Sequence, residues 1–176
     1  MMNLVRDLGK YVLLMRRVFT KPDRVNFFIR QVFTEFQRLG LDSLGIVMII
    51  SVFVGAVVAL QTAYNIDSPL IPLSMVGFTT RQSIILEFSP TMISLVLAGK
   101  VGSRIASEIG TMRVTEQIDA LEMMGINSAN YLIQPKVFAG VIINPILIIF
   151  SICLGLLGGW LACISTGEVT SNDYIV

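Results

Sequence analysis

The stretch from Leu44 to Tyr64, LGIVMIISVFVGAVVALQTAY, decides the fold, because its 21 residues carry no charge. At about 1.5 Å per residue, a helix of this length covers the ~30 Å hydrocarbon core of a bilayer. Small residues recur at every fourth position and form a face on which another helix can approach closely; they are Ser51, Gly55, Ala59 and Ala63. We predict that this stretch is the first membrane-spanning helix.

The composition of the 176 residues also indicates a membrane protein, since 54% are hydrophobic, 14% are charged and the mean hydropathy is +0.76. Soluble proteins average about 25% charged residues. The net charge of +1 and the lack of a basic tract with interleaved aromatics argue against a nucleic-acid partner. With no histidine and only Cys153 and Cys163, the chain lacks the usual zinc and haem ligand sets.

A second apolar segment, residues 73–99, carries Arg81, Glu87 and Pro90. Ionisable residues at membrane depth are costly and by default mark a cavity or pathway. An equally supported alternative places Arg81 in the far interface and only Glu87 deep. Pro90 is expected to bend the helix, with the neighbouring serine and threonine satisfying part of the freed backbone.

A third apolar segment, residues 137–164, contains no charge. Its small residues also recur every fourth position and include a GxxxG, which indicates a close helix contact, with a dimer axis as one candidate location; they are Ser151, Gly155, Gly159 and Cys163. Near the end of this third segment, Trp160 is typical of an interfacial anchor.

Gln61 lies near the far end of the first span, where its amide needs water or a polar partner.

The N-terminal segment, residues 1–40, has two amphipathic patterns. In residues 1–20 and again in residues 25–39, apolar and aromatic positions at helical spacing lie opposite charged ones. This basic, aromatic-rich character predicts helices lying in the headgroup layer, with packing on a soluble partner as the alternative. The remainder, residues 41–176, is interpreted as the membrane domain.

The polar loop of residues 100–136 separates the second and third apolar segments. Gly102 belongs to a small-residue face that is expected to continue the preceding helix. We predict that Thr115 caps a short helix and that Gly125 ends it. A short acidic helix with an exposed methionine suits docking in a partner's groove; a solvated connector without a partner is the alternative.

No enzyme chemistry is supported by these residues. Gly99 and Lys100 resemble the end of a phosphate-binding loop, but Val101 stands where serine or threonine is required, and the first glycine of the motif is missing. The carboxylates have no histidine or cysteine partner. Energy from ATP would have to come from another chain.

Positive charges predict the topology. Eight of the 13 lysines and arginines lie in the first 43 residues, four lie between Gly99 and Lys136, and the last is Arg81. Because lysine and arginine favour the cytoplasmic side, three crossings place the N-terminus and the central loop in the cytoplasm. The turn at 65–72 and the tail at 165–176 then lie outside.

The phrase from Ala98 to Gly125, AGKVGSRIASEIGTMRVTEQIDALEMMG, followed by Pro135, closely resembles the MlaE (YrbE) permease family. The stretch GAVVALQ, from Gly55 to Gln61, is similar to the family's first-helix motif. The resemblance extends over residues 28–167, and the central phrase is long enough to be specific.

The resemblance implies an all-α, polytopic membrane protein of about five spanning helices, the permease subunit of an ABC-type lipid transporter in the bacterial inner membrane. It implies a homodimer whose cytoplasmic coupling helix sits on an ATPase subunit that uses ATP and Mg. An MCE-domain (MlaD-like) protein is the expected partner, and a STAS-domain (MlaB-like) subunit is a further candidate. The expected role is phospholipid traffic between the inner and outer membranes, which maintains outer-membrane lipid asymmetry.

The family's motifs also imply roles for residues. Glu87 and Pro90 match its Glu-x-x-Pro near the lipid pocket, and we predict a lipid site made of Glu87, Pro90, Arg81, Gln61 and Tyr64. The predicted ATPase-coupling residues are Glu116, Gln117, Asp119, Glu122 and Met123, and the predicted helix-packing residues are Gly55, Gly102, Gly155 and Gly159.

Two departures from the family pattern matter. Leu86 stands where the family often has arginine, so a cationic contact to a lipid phosphate must come from elsewhere, with Arg81 as a substitute. The chain stops after its third apolar segment where family members continue with two more, so we expect C-terminal truncation. The alternative functions are a secondary transporter or channel that uses Arg81 and Glu87, and a non-transporting scaffold.

The topology predicts that a reporter inserted within residues 110–125 faces the cytoplasm, while one in the turn at 65–72 faces the periplasm, because positive charges flank only the first of these positions. Paired cytoplasmic and periplasmic reporter fusions measure this. A periplasmic signal from residues 110–125 would contradict both the topology and a coupling role for that loop.

Overall fold

The computed structural model describes residues 2–19, 25–66, 74–167 and 174, and this part of the chain consists of helices joined by short turns. The elements are α1 (Met2–Val18), α2 (Val25–Asn65), α3 (Ser74–Ser83), a π-helical turn (Ile84–Phe88), α4 (Ser89–Val114), α5 (Gln117–Met123) and α6 (Ser128–Thr166). Most of the turn at 65–72 and of the tail at 165–176 lies outside the described residues.

Three helical segments in the described part are long and apolar enough to cross a membrane: Val25–Asn65, Met75–Val114 and Ser128–Thr166. They correspond to the three predicted spans, so the all-α, multi-pass membrane class is confirmed. Each extends beyond the apolar stretch read from the sequence. In α2, the single glycine at position 40 does not end the helix, because one interior glycine costs only about 1 kcal/mol.

The chain divides into two compact units. Unit 1 comprises residues 1–39 and 100–143, and unit 2 comprises residues 40–99 and 144–176. Unit 1 therefore holds the predicted coupling loop, and unit 2 holds most of the apolar segments. The predicted division into residues 1–40 and 41–176 stays a prediction.

Unit 2 is built on a close contact between α2 and α6. Every fourth residue is buried on both helices: Val47, Ser51, Gly55, Ala59 and Ala63 on α2, and Leu147, Ser151, Gly155, Gly159 and Cys163 on α6. A Cβ added to Gly55 would lie 2.7 Å from the Gly155 Cα, and one on Gly158 would lie 2.5 Å from the Val52 carbonyl oxygen. The two backbones touch, so these positions have no room for a side chain.

Outside this contact, unit 2 exposes large apolar side chains, among them Ile49, Phe53, Val57, Leu95, Leu157 and Leu161. In a membrane, lipid tails surround such faces at no cost. Lipid is as apolar as these side chains, so the hydrophobic effect does not drive the helices together, and close packing and interhelical hydrogen bonds must hold them instead.

The second span also has a buried face, and the spacing of its buried residues changes at the π-helical turn. Its buried face includes Val76, Thr80 and Ile84 at intervals of four, and then Ser89, Ile93 and Leu97 at the same interval. The step across the π-helical turn is five residues instead of four, and the Ser89 N–H accordingly donates to the Ile84 carbonyl oxygen. The extra residue keeps one face of the span buried on both sides of the turn.

The π-helical turn lies immediately before Pro90, which lacks an N–H and disrupts the α-helical bonding pattern. The Thr91 hydroxyl donates to the Glu87 carbonyl oxygen, whereas the carbonyl that an N–H at position 90 would reach in an α-helix is that of Leu86. The predicted help from Thr91 therefore stays a prediction. The Ser89 hydroxyl lies instead 3.4 Å from the Ser151 hydroxyl.

A buried cluster of three hydroxyl groups links the three spans. Ser51 Oγ lies 2.8 Å from Ser151 Oγ and 2.6 Å from the Val47 carbonyl oxygen, while Ser151 Oγ also contacts Ser89. Each hydroxyl has one proton, so Ser51 donates to Val47 or to Ser151 but not to both. Hydrogen bonds between membrane helices average about 0.6 kcal/mol each.

Tyr174 packs against Ala59, Val76 and Cys163 in the same unit. Its hydroxyl donates to the Leu156 carbonyl oxygen at 3.4 Å. Burial, followed by the influence of the Cys163 thiol, raises the pKa of Tyr174 to about 12. The phenol therefore stays neutral at physiological pH and acts as a hydrogen-bond donor.

Unit 1 holds the end of α1 and the cytoplasmic ends predicted for the longer helices. The Asn130 side-chain amide donates to the Val18 carbonyl oxygen at 3.1 Å, and that of Asn127 donates to Arg17 at 3.1 Å. These bonds satisfy carbonyls that a helix C-terminus leaves unpaired. Phe27 also stacks on Tyr131, with ring centroids 5.7 Å apart.

The backbone contact predicts opposite effects for two glycine substitutions. Gly55→Ala should lower the stability of the protein by about 1–3 kcal/mol, because the new methyl group overlaps the Gly155 backbone. Gly102→Ala should be neutral or stabilise by about 0.5–1 kcal/mol, because a Cβ there meets nothing within 4 Å and alanine favours the helix. Thermal unfolding in mild detergent measures both, and equal midpoints for the two variants would contradict the packing.

Candidate functional site

All five residues of the predicted lipid site lie in unit 2. Glu87 is exposed within the π-helical turn, while Pro90 and Arg81 are half-buried. Gln61 and Tyr64 are exposed near the end of α2.

Glu87 faces away from the packed core. Ile84 and Ser89, on either side of it, are buried, whereas Ile85, Leu86 and Glu87 are exposed together. The π-helical turn therefore presents a carboxylate beside exposed Ile85 and Leu86 on the outer surface of a membrane-spanning segment. A charge at such a position needs water, a polar ligand or another chain.

Arg81 lines a different surface from Glu87. It borders an apolar cavity of about 630 Å³ together with Cys153, Leu156, Leu157, Trp160 and Tyr174. Glu87 does not line this cavity, so the structure does not gather the five predicted residues into one pocket within a single chain.

The predicted coupling helix is α5, which follows a turn at Thr115 and Glu116. The predicted Thr115 cap is wrong, because its hydroxyl donates back to the Thr111 carbonyl oxygen at 2.8 Å. Threonine commonly bonds to the carbonyl four residues earlier when it lies at the end of a helix. Glu116 occupies the position before α5 with φ 58° and makes no side-chain cap.

Gly125 ends α5 as predicted. Its φ is 76°, in the left-handed region that favours glycine. The Gly125 N–H donates to the Glu122 carbonyl oxygen at 2.9 Å, and the Ile126 N–H donates to that of Leu121 at 3.1 Å. This pair of bonds is the Schellman motif, which satisfies the last carbonyls of a helix.

Two of the five predicted coupling side chains make hydrogen bonds to other helices of the same chain. Asp119 accepts a hydrogen bond from Arg113 of α4 at 2.5 Å, and Glu122 accepts one from Ser128 of α6 at 2.8 Å. These contacts fasten α5 to the helix before it and to the helix after it. The side chains of Glu116, Gln117 and Met123 are exposed.

Three apolar side chains near α5 are exposed to an unusual degree: Met123 (89%), Val114 (84%) and Met124 (66%). They lie in or at the start of the polar loop that is predicted to be cytoplasmic, where we expect no lipid to cover them. Exposed apolar groups on a water-facing segment typically mark an interaction surface. Sequence reasoning identified Met123 but missed Val114, whose exposure depends on where α4 ends.

Unit 1 also contains a buried ion cluster that sequence reasoning missed. Lys136 is 5% exposed, and its Nζ lies 3.1 Å from Glu35 Oε1 and 2.5 Å from Glu108 Oε2. The cluster borders a cleft of about 310 Å³ that Arg30 and Arg38 also line. The available signal was a lysine directly after Pro135, at the start of a long apolar run.

The family model described as "Permease MlaE" matches residues 32–176. The chain belongs to the MlaE permease family. The identification made from the central phrase is thereby confirmed.

Curated relatives agree with the family. The chain is 34% identical over 98% of its length to a "Probable ABC transporter permease protein" of Rickettsia bellii. It is 35% identical over 77% of its length to the "Intermembrane phospholipid transport system permease protein MlaE" of Haemophilus influenzae. It is also 33% identical over 72% of its length to "Protein TRIGALACTOSYLDIACYLGLYCEROL 1, chloroplastic" of Arabidopsis thaliana.

The chain spans 66%, 52% and 36% of the lengths of these three relatives, respectively. Less than two thirds of each relative is therefore matched. Family membership rests on the match of the family model to residues 32–176 and on these identities.

Proposed function

We propose that this chain is the membrane permease subunit of an ABC-type lipid transporter that moves phospholipid between the inner membrane and the outer membrane. The observation that carries the proposal is membership of the MlaE family, in which the Haemophilus relative is named a phospholipid transport permease. Maintenance of outer-membrane lipid asymmetry is the corresponding physiological role.

The proposed lipid site is centred on Glu87. A phospholipid combines apolar chains with a charged headgroup, and the surface around Glu87 combines exposed Ile85 and Leu86 with one carboxylate. A second copy of the chain placed against this surface would convert it into an enclosed cavity, which is why we propose a homodimer. Pro90, Arg81, Gln61 and Tyr64 are proposed to line or border that cavity.

The proposed coupling surface is α5 with its exposed apolar neighbours. An ATPase subunit would bind Val114, Met123 and Met124 in a groove, with Glu116 and Gln117 at the polar rim. ATP and Mg would be used by that subunit. ATP-driven movement of α5 would then open and collapse the lipid cavity.

The remaining partners and the location complete the proposal. An MCE-domain protein would pass lipid onward, and a STAS-domain subunit would bind on the ATPase side. The inner membrane is the proposed location, with the N-terminus and the coupling loop in the cytoplasm, because lysine and arginine are concentrated in those segments.

Glu87→Ala should lower ATP-dependent phospholipid transfer roughly tenfold, the equivalent of about 1.4 kcal/mol of lost interaction. The reason is that the variant removes the single carboxylate of the exposed apolar surface while leaving the buried face intact. Transfer of fluorescent phospholipid by the purified transporter in proteoliposomes measures the change.

Gln82→Ala is the matched control, since Gln82 is also exposed on the second span but lies outside the proposed site. Equal transfer by Glu87→Ala and Gln82→Ala would refute the role of Glu87. Full transfer by the wild type without ATP would instead favour a secondary transporter.

Met123→Glu should weaken ATPase binding at least about tenfold, because it places a charge at the centre of the exposed apolar surface, whereas Met123→Leu should preserve binding. Co-purification from mild detergent and titration of the ATPase measure this. Ser103→Glu adds the same charge at an exposed position of α4 outside the surface, and a similar loss in that variant would show a general charge effect.

A further inference from the structure

The cluster of Lys136, Glu35 and Glu108 joins three helices of unit 1. Glu35 lies on α2, Glu108 on α4 and Lys136 on α6. The side chain of Glu35 is 13% exposed and that of Glu108 is 37% exposed, so the ammonium group is more deeply buried than either carboxylate. One cation therefore pairs with an anion on each of the other two helices.

The three members of the cluster depend on one another. A buried ammonium needs charged or hydrogen-bonding partners, and removing one member of a buried ion pair leaves an uncompensated charge. Without Lys136, two carboxylates would face each other at the junction of α2 and α4. By contrast, Arg113 and Asp119 form an exposed pair, and exposed pairs contribute little to stability.

The cluster also lies on both helices that hold α5. Glu108 is on the helix that precedes α5, and Lys136 is on the helix that follows it. Two other contacts tie α5 to the same helices: Arg113 of α4 binds Asp119, and Ser128 of α6 binds Glu122. Movement of α5 therefore acts on α4 and α6 through these two contacts. The Lys136 ion pairs connect α4 and α6 in turn to α2.

We infer that Lys136 is a positioning residue for energy coupling: its ion pairs with Glu35 and Glu108 hold α2, α4 and α6 together so that movement of α5 shifts the three helices as one body. Each of these helices belongs to a segment able to cross a membrane. This inference rests on the proposed function, since it requires an ATPase that moves α5.

A purely stabilising role makes a different prediction from a coupling role. If Lys136 only stabilises the fold, its loss lowers the amount of assembled transporter, and each surviving complex moves as much lipid per ATP as the wild type. If Lys136 positions the helices for coupling, assembled complexes hydrolyse ATP but move less lipid per ATP.

The test measures ATP hydrolysis and fluorescent phospholipid transfer on the same proteoliposomes, made with the transporter purified together with its ATPase. For Lys136→Met, which keeps an unbranched side chain of nearly the same length and removes its charge, lipid transferred per ATP should fall roughly fivefold or more, while ATP hydrolysis per complex stays within about twofold. Lys136→Arg, which can pair with both carboxylates, should restore most of the ratio.

Lys10→Met is the matched control, because Lys10 is exposed on α1 and this substitution makes the same chemical change outside the cluster. An unchanged ratio in Lys136→Met would overturn the inference. If Lys136→Met does not assemble, Glu108→Gln decides, since it keeps the shape of the side chain: a reduced ratio supports the inference and a wild-type ratio overturns it. A wild-type transporter that moves no lipid with ATP would instead refute the proposed function.

Discussion

The contact between the backbones of α2 and α6 is the constraint on which unit 2 depends. At Gly55 and Gly155 the two helices meet without intervening side chains. Helices in lipid gain nothing from hiding apolar surface, so their association rests on dispersion contacts and on hydrogen bonds such as those of Ser51 and Ser151. Glycine and serine supply both, and the large apolar residues are left to face lipid.

The second span shows how a charged residue can be placed on a helix that packs against such a core. Its packed face must stay in register with α2 and α6, yet Pro90 disrupts regular α-helical bonding nearby. The π-helical turn reconciles the two by taking up one residue between Ile84 and Ser89. Glu87 lies within that turn and faces outward, so its charge is kept away from the close helix contacts.

Features that depend on local periodicity could be predicted from the sequence. The three spans follow from uninterrupted apolar length, and the buried faces of α2 and α6 follow from small residues at every fourth position. Gly125 could be predicted to end α5, because a left-handed residue after a helix favours glycine whatever the surrounding fold. Gly102 also belongs to a pattern of small residues at every fourth position, but a Cβ added there would meet no atom within 4 Å in this chain.

Features that depend on contacts distant in the chain could not be predicted. The Lys136 cluster brings together residues 35, 108 and 136, and no spacing rule connects them. The Thr115 cap was wrong because α4 runs further than expected and the hydroxyl bonds within it. The location of the GxxxG contact also required the structure, which places Gly155 and Gly159 against α2 of the same chain.

The π-helical turn has a consequence for how this span tolerates changes in length. Geometrically, it is an α-helix into which one residue has been inserted, with the rotation of about 100° that an insertion would cause absorbed within a single turn. Residues beyond the turn keep the phase they would have had without the insertion. The span can thus gain a residue, and a new outward side chain, without any substitution along its packed face.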